Sequence, residues 1–387
     1  MTPFIIASAI KVFVVFNLIM VGVALLTLLE RRVCAWMQDR LGPNRVGPQG
    51  ILQPAADGLK NFLKEETSPA MADKTLFTLA PIVSFVPALL TFGVIPFAAP
   101  LPTRWGVVPM VVADLPIGFL YILAISSLGV YGIVLAGWAS NNKYALLGGL
   151  RASAQMISYE IALGLSTVAV LLLAGNVTLS RVIAQQQHGL WFIIPLMLAF
   201  LIFFVSALAE TNRLPFDLPE AEAELIAGYH TEYSSMKFSM FYIAEYSNMV
   251  TASALMATLF FGGWDIPFTS WDSTGEPSGW KTLCTFASFG LKTFVFLFTF
   301  ICVRWTLPRF RYDQLMALGW KVLLPLALFY ITALATAIWF LRNQLGWEYG
   351  PGMAWALGGL NVLMLIALAW WLDRGRIVSG SVAEEAA

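Results

Sequence analysis

Charge is the first thing these 387 residues lack. Asp, Glu, Lys and Arg together make up 12% of the chain, about half of what a soluble domain carries. An excess of one sign is missing too. The 23 basic and 23 acidic residues cancel, which gives no reason to expect nucleic acid as a partner. Cysteine is scarce: Cys34, Cys284 and Cys302 are scattered with no CxxC pair, so neither a disulfide framework nor an iron–sulfur cluster is suggested. The two histidines, His188 and His230, fall in connections on opposite sides of the span map given below, and such a pair cannot ligate one transmembrane haem. No redox centre is expected in this chain. No internal repeat is visible, which weighs against a transporter built from inverted repeats.

What is abundant is apolar surface: 58% of the residues are hydrophobic and mean hydropathy is +0.74. Apolar runs lie at about 4–29, 75–98, 110–138, 154–174, 190–209, 238–264, 282–303, 320–341 and 353–372. Roughly 20 apolar residues span a bilayer as a helix, so the sequence predicts an all-α polytopic membrane protein. Its single domain would cover 1–387, with about nine spans. The first run is too long for a signal-peptide core and lacks a basic start. Seventeen of the 23 basic residues fall in the connections that follow odd-numbered spans and in the C-terminus, against four in the even-numbered connections. Positive residues stay inside, so the N-terminus is expected outside and the C-terminus in the cytoplasm.

Between the fifth and sixth runs lies A-E-T-N-R-L-P-F-D-L-P-E-A-E-A-E-L-I-A-G-Y-H-T-E-Y, residues 209–233. It carries Glu210, Asp217, Glu220, Glu222, Glu224 and Glu232 against Arg213, inside a cytoplasm-facing connection at about 210–237. Loops of this length in compact proteins are functional or disordered, and the interspersed aromatics argue against disorder. Asp217 and Glu220 fit a capping box. Glu220 and Glu224 make a like-charge i,i+4 pair that stability alone does not explain.

Ionisable groups inside spans are costly and default to function. Glu160 and Glu245 each lie about six residues, or ~9 Å, from the cytoplasmic ends of the fourth and sixth runs, and Glu210 closes the fifth. Three carboxylates at one depth suit proton uptake and release. The plainer alternative is pairing with basic neighbours, as Glu210 could make with Arg213 at i,i+3. Lys292, ~18 Å from the cytoplasmic end of its run, pairs with a buried acid or takes part in a proton path. In the first inside connection, residues 51–65 place Leu52, Ala55, Leu59, Phe62 and Leu63 at helical spacing, with Asp57, Lys60 and Lys64 on the other face. Such a helix lies in the headgroup plane. It is either a surface anchor or one wall of an entrance for a lipid-soluble ligand.

Four blocks together resemble one known family. They are E-R-R followed by R-L-G-P-N-R-V-G-P-Q-G-I-L-Q-P-A-A-D-G-L-K, then G-W-A-S-N-N-K-Y-A-L-L-G-G-L-R-A-S-A-Q-M-I-S-Y-E, the acidic stretch, and L-P-R-F-R-Y-D-Q-L-M. They are similar to the H-subunit family of bacterial NADH:quinone oxidoreductases, whose mitochondrial counterpart is NADH dehydrogenase subunit one of respiratory complex I. The resemblance implies a multi-pass subunit of the bacterial cytoplasmic membrane that docks under a hydrophilic arm and forms the lower part of a quinone chamber. Quinone would be the substrate, and electrons would arrive from iron–sulfur clusters in partner subunits. The other partners implied are antiporter-like and small membrane subunits, and lipid. By motif position, Glu210, Arg213, Asp217, Glu220, Glu222, Glu224 and Glu232 match the acidic chamber loop. Glu160 and Glu245 match the intramembrane acids, and Arg31, Arg45, Asp57 and Lys60 match the residues near the quinone entrance. The family has about eight spans, with a ninth in some bacterial members, so the run at 353–372 is an extension. Two other classes stay open at this level: the membrane anchor of a related proton-pumping hydrogenase, and a stand-alone ion transporter.

Overall fold

The computed structural model describes residues 2–104, 106–217, 228–267, 269, 271–272, 274 and 276–373. Its helices in order are α1 (Thr2–Met37), α2 (Gln53–Leu63), α3 (Lys74–Leu90), α4 (Gly118–Ala139), α5 (Lys143–Ala174), α6 (Leu179–Gln187), α7 (Met197–Glu210), α8 (Ser235–Phe260), α9 (Gly279–Thr306), α10 (Tyr312–Ala317), α11 (Leu324–Asn343) and α12 (Pro351–Asp373). A small antiparallel hairpin, β1 (Leu101–Thr103) and β2 (Gly106–Val108), sits between α3 and α4. The chain is thus a polytopic helical membrane protein. Among the described residues, each of the nine apolar runs holds one main helix.

Seven of those helices are long and apolar enough to cross a membrane. The other two are α7, with only 14 residues, and α8, which carries Lys237, Glu245 and several serines. At ~1.5 Å per residue, α7 reaches only ~21 Å. Its missing turns are replaced by the irregular stretch before Met197, where Asn361 of α12 receives the Leu198 N–H at 3.1 Å and donates to the Pro195 carbonyl at 2.6 Å.

Polar caps set several ends. The Asp73 carboxylate accepts the Thr75 and Leu76 N–H groups and starts α3. Asn142 accepts from Tyr144 N and starts α5, which ends on Gly175 at φ +63°, a left-handed conformation suited to glycine. This start lies eleven residues before the apolar run at 154–174. Lys143 and Arg151 are therefore helical, and Glu160 lies mid-helix rather than near the cytoplasmic end. The α3 helix packs on α4 and α8, and α5 on α4, α7 and α11. Rings of Phe200, Phe260, Phe261 and Phe296 fill the space among α7, α8 and α9. The α2 helix covers Gln53–Leu63, slightly shorter than the 51–65 expected, and has no buried residue.

Candidate functional site

The site begins with a turn. After α7, Asn212 adopts φ +49°, and buried Gln155 of α5 holds the reversed chain. Its Nε2 lies 2.9–3.0 Å from the Ala209 carbonyl, the Asn212 Oδ1 and the Phe216 carbonyl. This anchoring drives the Arg213 side chain inward, where only 7% of the residue is exposed. A buried guanidinium needs compensating charge, and two acids supply it. Glu30 of α1, 4% exposed, accepts from Arg213 Nη1 at 3.1 and 3.3 Å. Glu245 of α8 stands 2.7 Å from Arg213 Nε. Glu30 also accepts from the Tyr246 hydroxyl at 2.6 Å and from Arg304 of α9. The Tyr246 ring lies under the guanidinium, 4.2 Å from its carbon, and the Tyr246 hydroxyl meets that of Tyr242 at 2.9 Å.

Two arginines and two glutamates from three helices and a loop thus form a cluster of zero formal charge. Burial opposes the Arg213 charge, but Glu245, Tyr246 and Glu30 outweigh it and hold its pKa above the usual arginine value. Its Nη2 has no acceptor among the described residues. Buried donors are seldom left so.

Beside the cluster is a cavity of about 30 Å³ lined by Glu210, Glu245, Asn212, Asn248, Tyr229 and Ser84, among others. A water needs about 10–15 Å³ by this measure, so the space holds about two. Glu160 lies within electrostatic reach of Glu210. Of the three intramembrane carboxylates expected from the sequence, Glu210 and Glu245 thus share the cavity wall, while Glu160 lies outside that lining. Glu210 does not pair with Arg213, whose charge is committed to Glu30 and Glu245.

Other expected residues fall elsewhere. Glu232 accepts from Asn142 Nδ2 at 2.7 Å, tying its loop to the cap of α5. Asp217 pairs with Arg309 at 3.4 Å. Arg31 and Asp57 pair at 2.6 Å and join α1 to α2, with Lys60 at 3.7 Å from the same carboxylate. Arg45 is exposed. Lys292 is not brought to Glu160, Glu210 or Glu245. Its ammonium donates to the carbonyls of Phe261, Gly263 and Asp265 at 2.7, 3.0 and 2.5 Å, past the far end of α8. Glu220, Glu222 and Glu224, with the proposed cap of Asp217 on Glu220, lie outside the described residues.

Sequence reasoning missed Glu30 and Arg304. E-R-R reads as the charged end of a span, yet α1 continues seven residues past Glu30, to Met37. The apolar V-C-A-W-M that follows the two arginines was the available signal.

A bundle of membrane-crossing helices closed at one end by a buried, charge-balanced cluster defines an integral membrane protein with a polar internal site. Comparison with known proteins narrows this further. The family model for NADH dehydrogenase matches residues 10–335. An H-type chain of the NADH-quinone oxidoreductase of Geobacter metallireducens is 52% identical over 331 residues, covering 85% of this chain and 96% of the relative. Its counterpart from Geobacter sulfurreducens is 52% identical over 318 residues, 82% of this chain and 92% of its own. A third, from Cytophaga hutchinsonii, is 49% identical over 325 residues, with shares of 84% and 94%. The chain belongs to the NADH dehydrogenase family, as a membrane subunit of NADH-quinone oxidoreductase that is not catalytic alone. The family match ends before α12 begins.

Proposed function

We propose that this chain forms the membrane part of the quinone chamber and passes the charge change of quinone reduction into a carboxylate path. The observation that carries this reading is the buried Arg213. It is neutralised on one side by Glu30 and Glu245, has an N–H at Nη2 that meets no acceptor among the described residues, and stands next to a cavity shared by Glu245 and Glu210.

Reduction of a quinone takes two electrons and two protons. The electrons come from cluster-bearing partner subunits of the hydrophilic arm. Negative charge arising on the quinone competes with Glu245 for Arg213, because the attraction between charges in a poorly solvated site is strong. Left without its cation in a poorly solvated site, Glu245 takes up a proton, which keeps the site neutral. The cavity waters then connect it to Glu210, and Glu210 to Glu160, toward the antiporter-like subunits. Glu222 and Glu224 belong to the upper end of the same path, and Asp217 with Arg309 to its rim.

Quinone enters beside α2. The Arg31–Asp57 pair holds this helix to α1, while Leu59, Phe62 and Leu63 remain exposed and suit a helix lying in the headgroup plane. Lys60 and Arg45 lie at this entrance. The basic-residue asymmetry supports a cytoplasmic acidic end and an N-terminus outside.

The test uses the assembled complex with Glu245→Gln, Glu222→Gln or Glu224→Gln. Quinone reductase activity should fall, whereas NADH oxidation by an artificial acceptor that draws electrons from the hydrophilic arm should persist. Unchanged quinone turnover in a fully assembled complex would end the chamber reading.

A further inference from the structure

A second set of buried charges sits at the other end of α8, fifteen residues beyond Glu245, or ~22 Å along the helix. Here the chain turns over the top of α9. Asp265 and Asp272 are 7% and 6% exposed. Asp265 Oδ2 accepts from Trp191 Nε1 at 2.6 Å. Asp272 Oδ2 accepts from the Ile266 N–H at 3.1 Å and from Gln187 Nε2 of α6 at 3.3 Å. The two carboxyl groups are within hydrogen-bonding reach of each other. Asp272 Oδ1, fully covered, meets no donor among the described residues.

Lys292 of α9 faces the pair, anchored on three carbonyls of the same turn and 4.3 Å from the centre of the Trp191 ring. Lys281 of α9 is turned to the Thr274 and Glu276 carbonyls, over the Trp271 ring. From α6 come the neutral amides of Gln187 and Gln186, the latter accepting the Gly262 N–H at 2.9 Å. Two ionised carboxylates against the one Lys292 ammonium would leave an uncompensated negative charge out of water, which is costly.

We propose that Asp265 and Asp272 form a proton-binding site. One proton, taken from water at this face and shared between the two carboxyls, makes the cluster with Lys292 neutral. In that state it latches the stretch 261–266, together with Asp272, onto α6 and α9. Loss of the proton leaves the group with a net negative charge, and the latch loosens. The buried Asp272 Oδ1 is then the atom that the shared proton satisfies.

Burial, with the neighbouring Asp272 adding to it, pushes the Asp265 pKa up to about 6. A carboxyl raised in the folded state favours the closed latch below that value and disfavours it above. The contribution is fully present at pH below the ordinary aspartate range and is lost as pH rises through about 6. The shift from 3.8 to about 6 is about two units, which caps the change in the opening equilibrium at roughly a hundredfold. With the N-terminus outside, the pH sensed is that of the outer compartment.

Hydrogen exchange on the purified intact complex tests this. Protection factors, which divide out the pH dependence of intrinsic exchange, are compared for amides of 261–266, 271 and 272 between about pH 5 and about pH 8. The wild type should lose protection across that interval by about tenfold, the part of the linkage that falls above pH 5. Asp265→Asn supplies an amide donor in place of the shared proton and should stay protected throughout, with quinone turnover intact as a check on assembly. Asp272→Asn should behave alike. Protection in the wild type that is the same at both ends of the interval would overturn the proposal. So would a transition that survives in both asparagine variants.

Discussion

Replacing Glu30 with glutamine keeps the shape of the buried cluster and removes one negative charge from it. Arg213, Arg304 and Glu245 remain, so the group goes from zero to one net positive charge in a place that water barely reaches. Breaking a buried ion pair by removing one partner costs about 3–5 kcal/mol. Two features set the value at the low end. Glu245 still stands 2.7 Å from Arg213, and the Arg304 side chain keeps 28% of its exposure, so solvent screens its loss. About 3 kcal/mol is the expected cost, roughly a 150-fold shift in an equilibrium constant. It falls on the turn that presents Arg213, whose N–H bonds the Leu208 carbonyl at 3.2 Å while its carbonyl receives the Phe216 N–H at 2.8 Å. Hydrogen exchange at these two amides in the intact complex reads the shift directly. Adding Arg304→Gln to Glu30→Gln restores neutrality and should return at least tenfold of the lost protection, a coupling of about 1.4 kcal/mol. Protection in the single variant within about threefold of wild type, near the limit of additivity, would show that charge balance does not hold the cluster together.

Three other outcomes are expected. His230, half-buried with its ring against Tyr229 and Phe238, has its pKa pushed down to about 4 by desolvation. The unfolded turn takes up a proton first, so stability is full above about pH 6.5 and lost as pH falls from there toward 4. His230→Phe should flatten that dependence in limited proteolysis of the 228–234 turn. In Gly148→Ala the new methyl would stand 2.7 Å from the Gly228 Cα, a backbone atom. Overpacking of this kind costs about 1–3 kcal/mol, and the displacement should move Tyr229 off the cavity wall, lowering both thermal stability and quinone turnover. Asn361→Leu leaves the Leu198 N–H and the Pro195 carbonyl without partners, at about 1–3 kcal/mol for each buried group. Exchange at Leu198 should rise at least tenfold; an unchanged rate would mean that α12 does not hold the start of α7.

The spans were legible because a bilayer imposes length and apolarity on each of them separately, and both are properties of a short window. Depth was less so. Lys143 and Arg151 look like loop residues in a hydropathy trace, yet Asn142 caps a helix that carries them, and Glu160 moved with that boundary. The acids of α5, α7 and α8 could be found one by one, since an ionisable group in an apolar run stands out. Their partners could not. Arg213 looked like the neighbour of Glu210 because the sequence shows only i,i+3 spacing; the turn at Asn212, held by Gln155, sends it to Glu30 and Glu245 instead. Lys292 stood out in the same way, but its acceptors are main-chain carbonyls, which no composition reveals.

The Glu30 contacts reach across 183 residues to Arg213 and 274 to Arg304. Chains are synthesised at about 5–20 residues per second. The first helix therefore waits on the order of ten seconds for its first counter-charge, and up to about a minute for the second. During that interval its carboxylate has to be tolerated by whatever surrounds it: headgroups, the insertion machinery, or a shallow position of the helix. The charge of α1 is thus fully balanced only when the last quarter of the chain emerges, and a nascent chain that ends before Arg304 holds Glu30 with at most one of its two arginine partners.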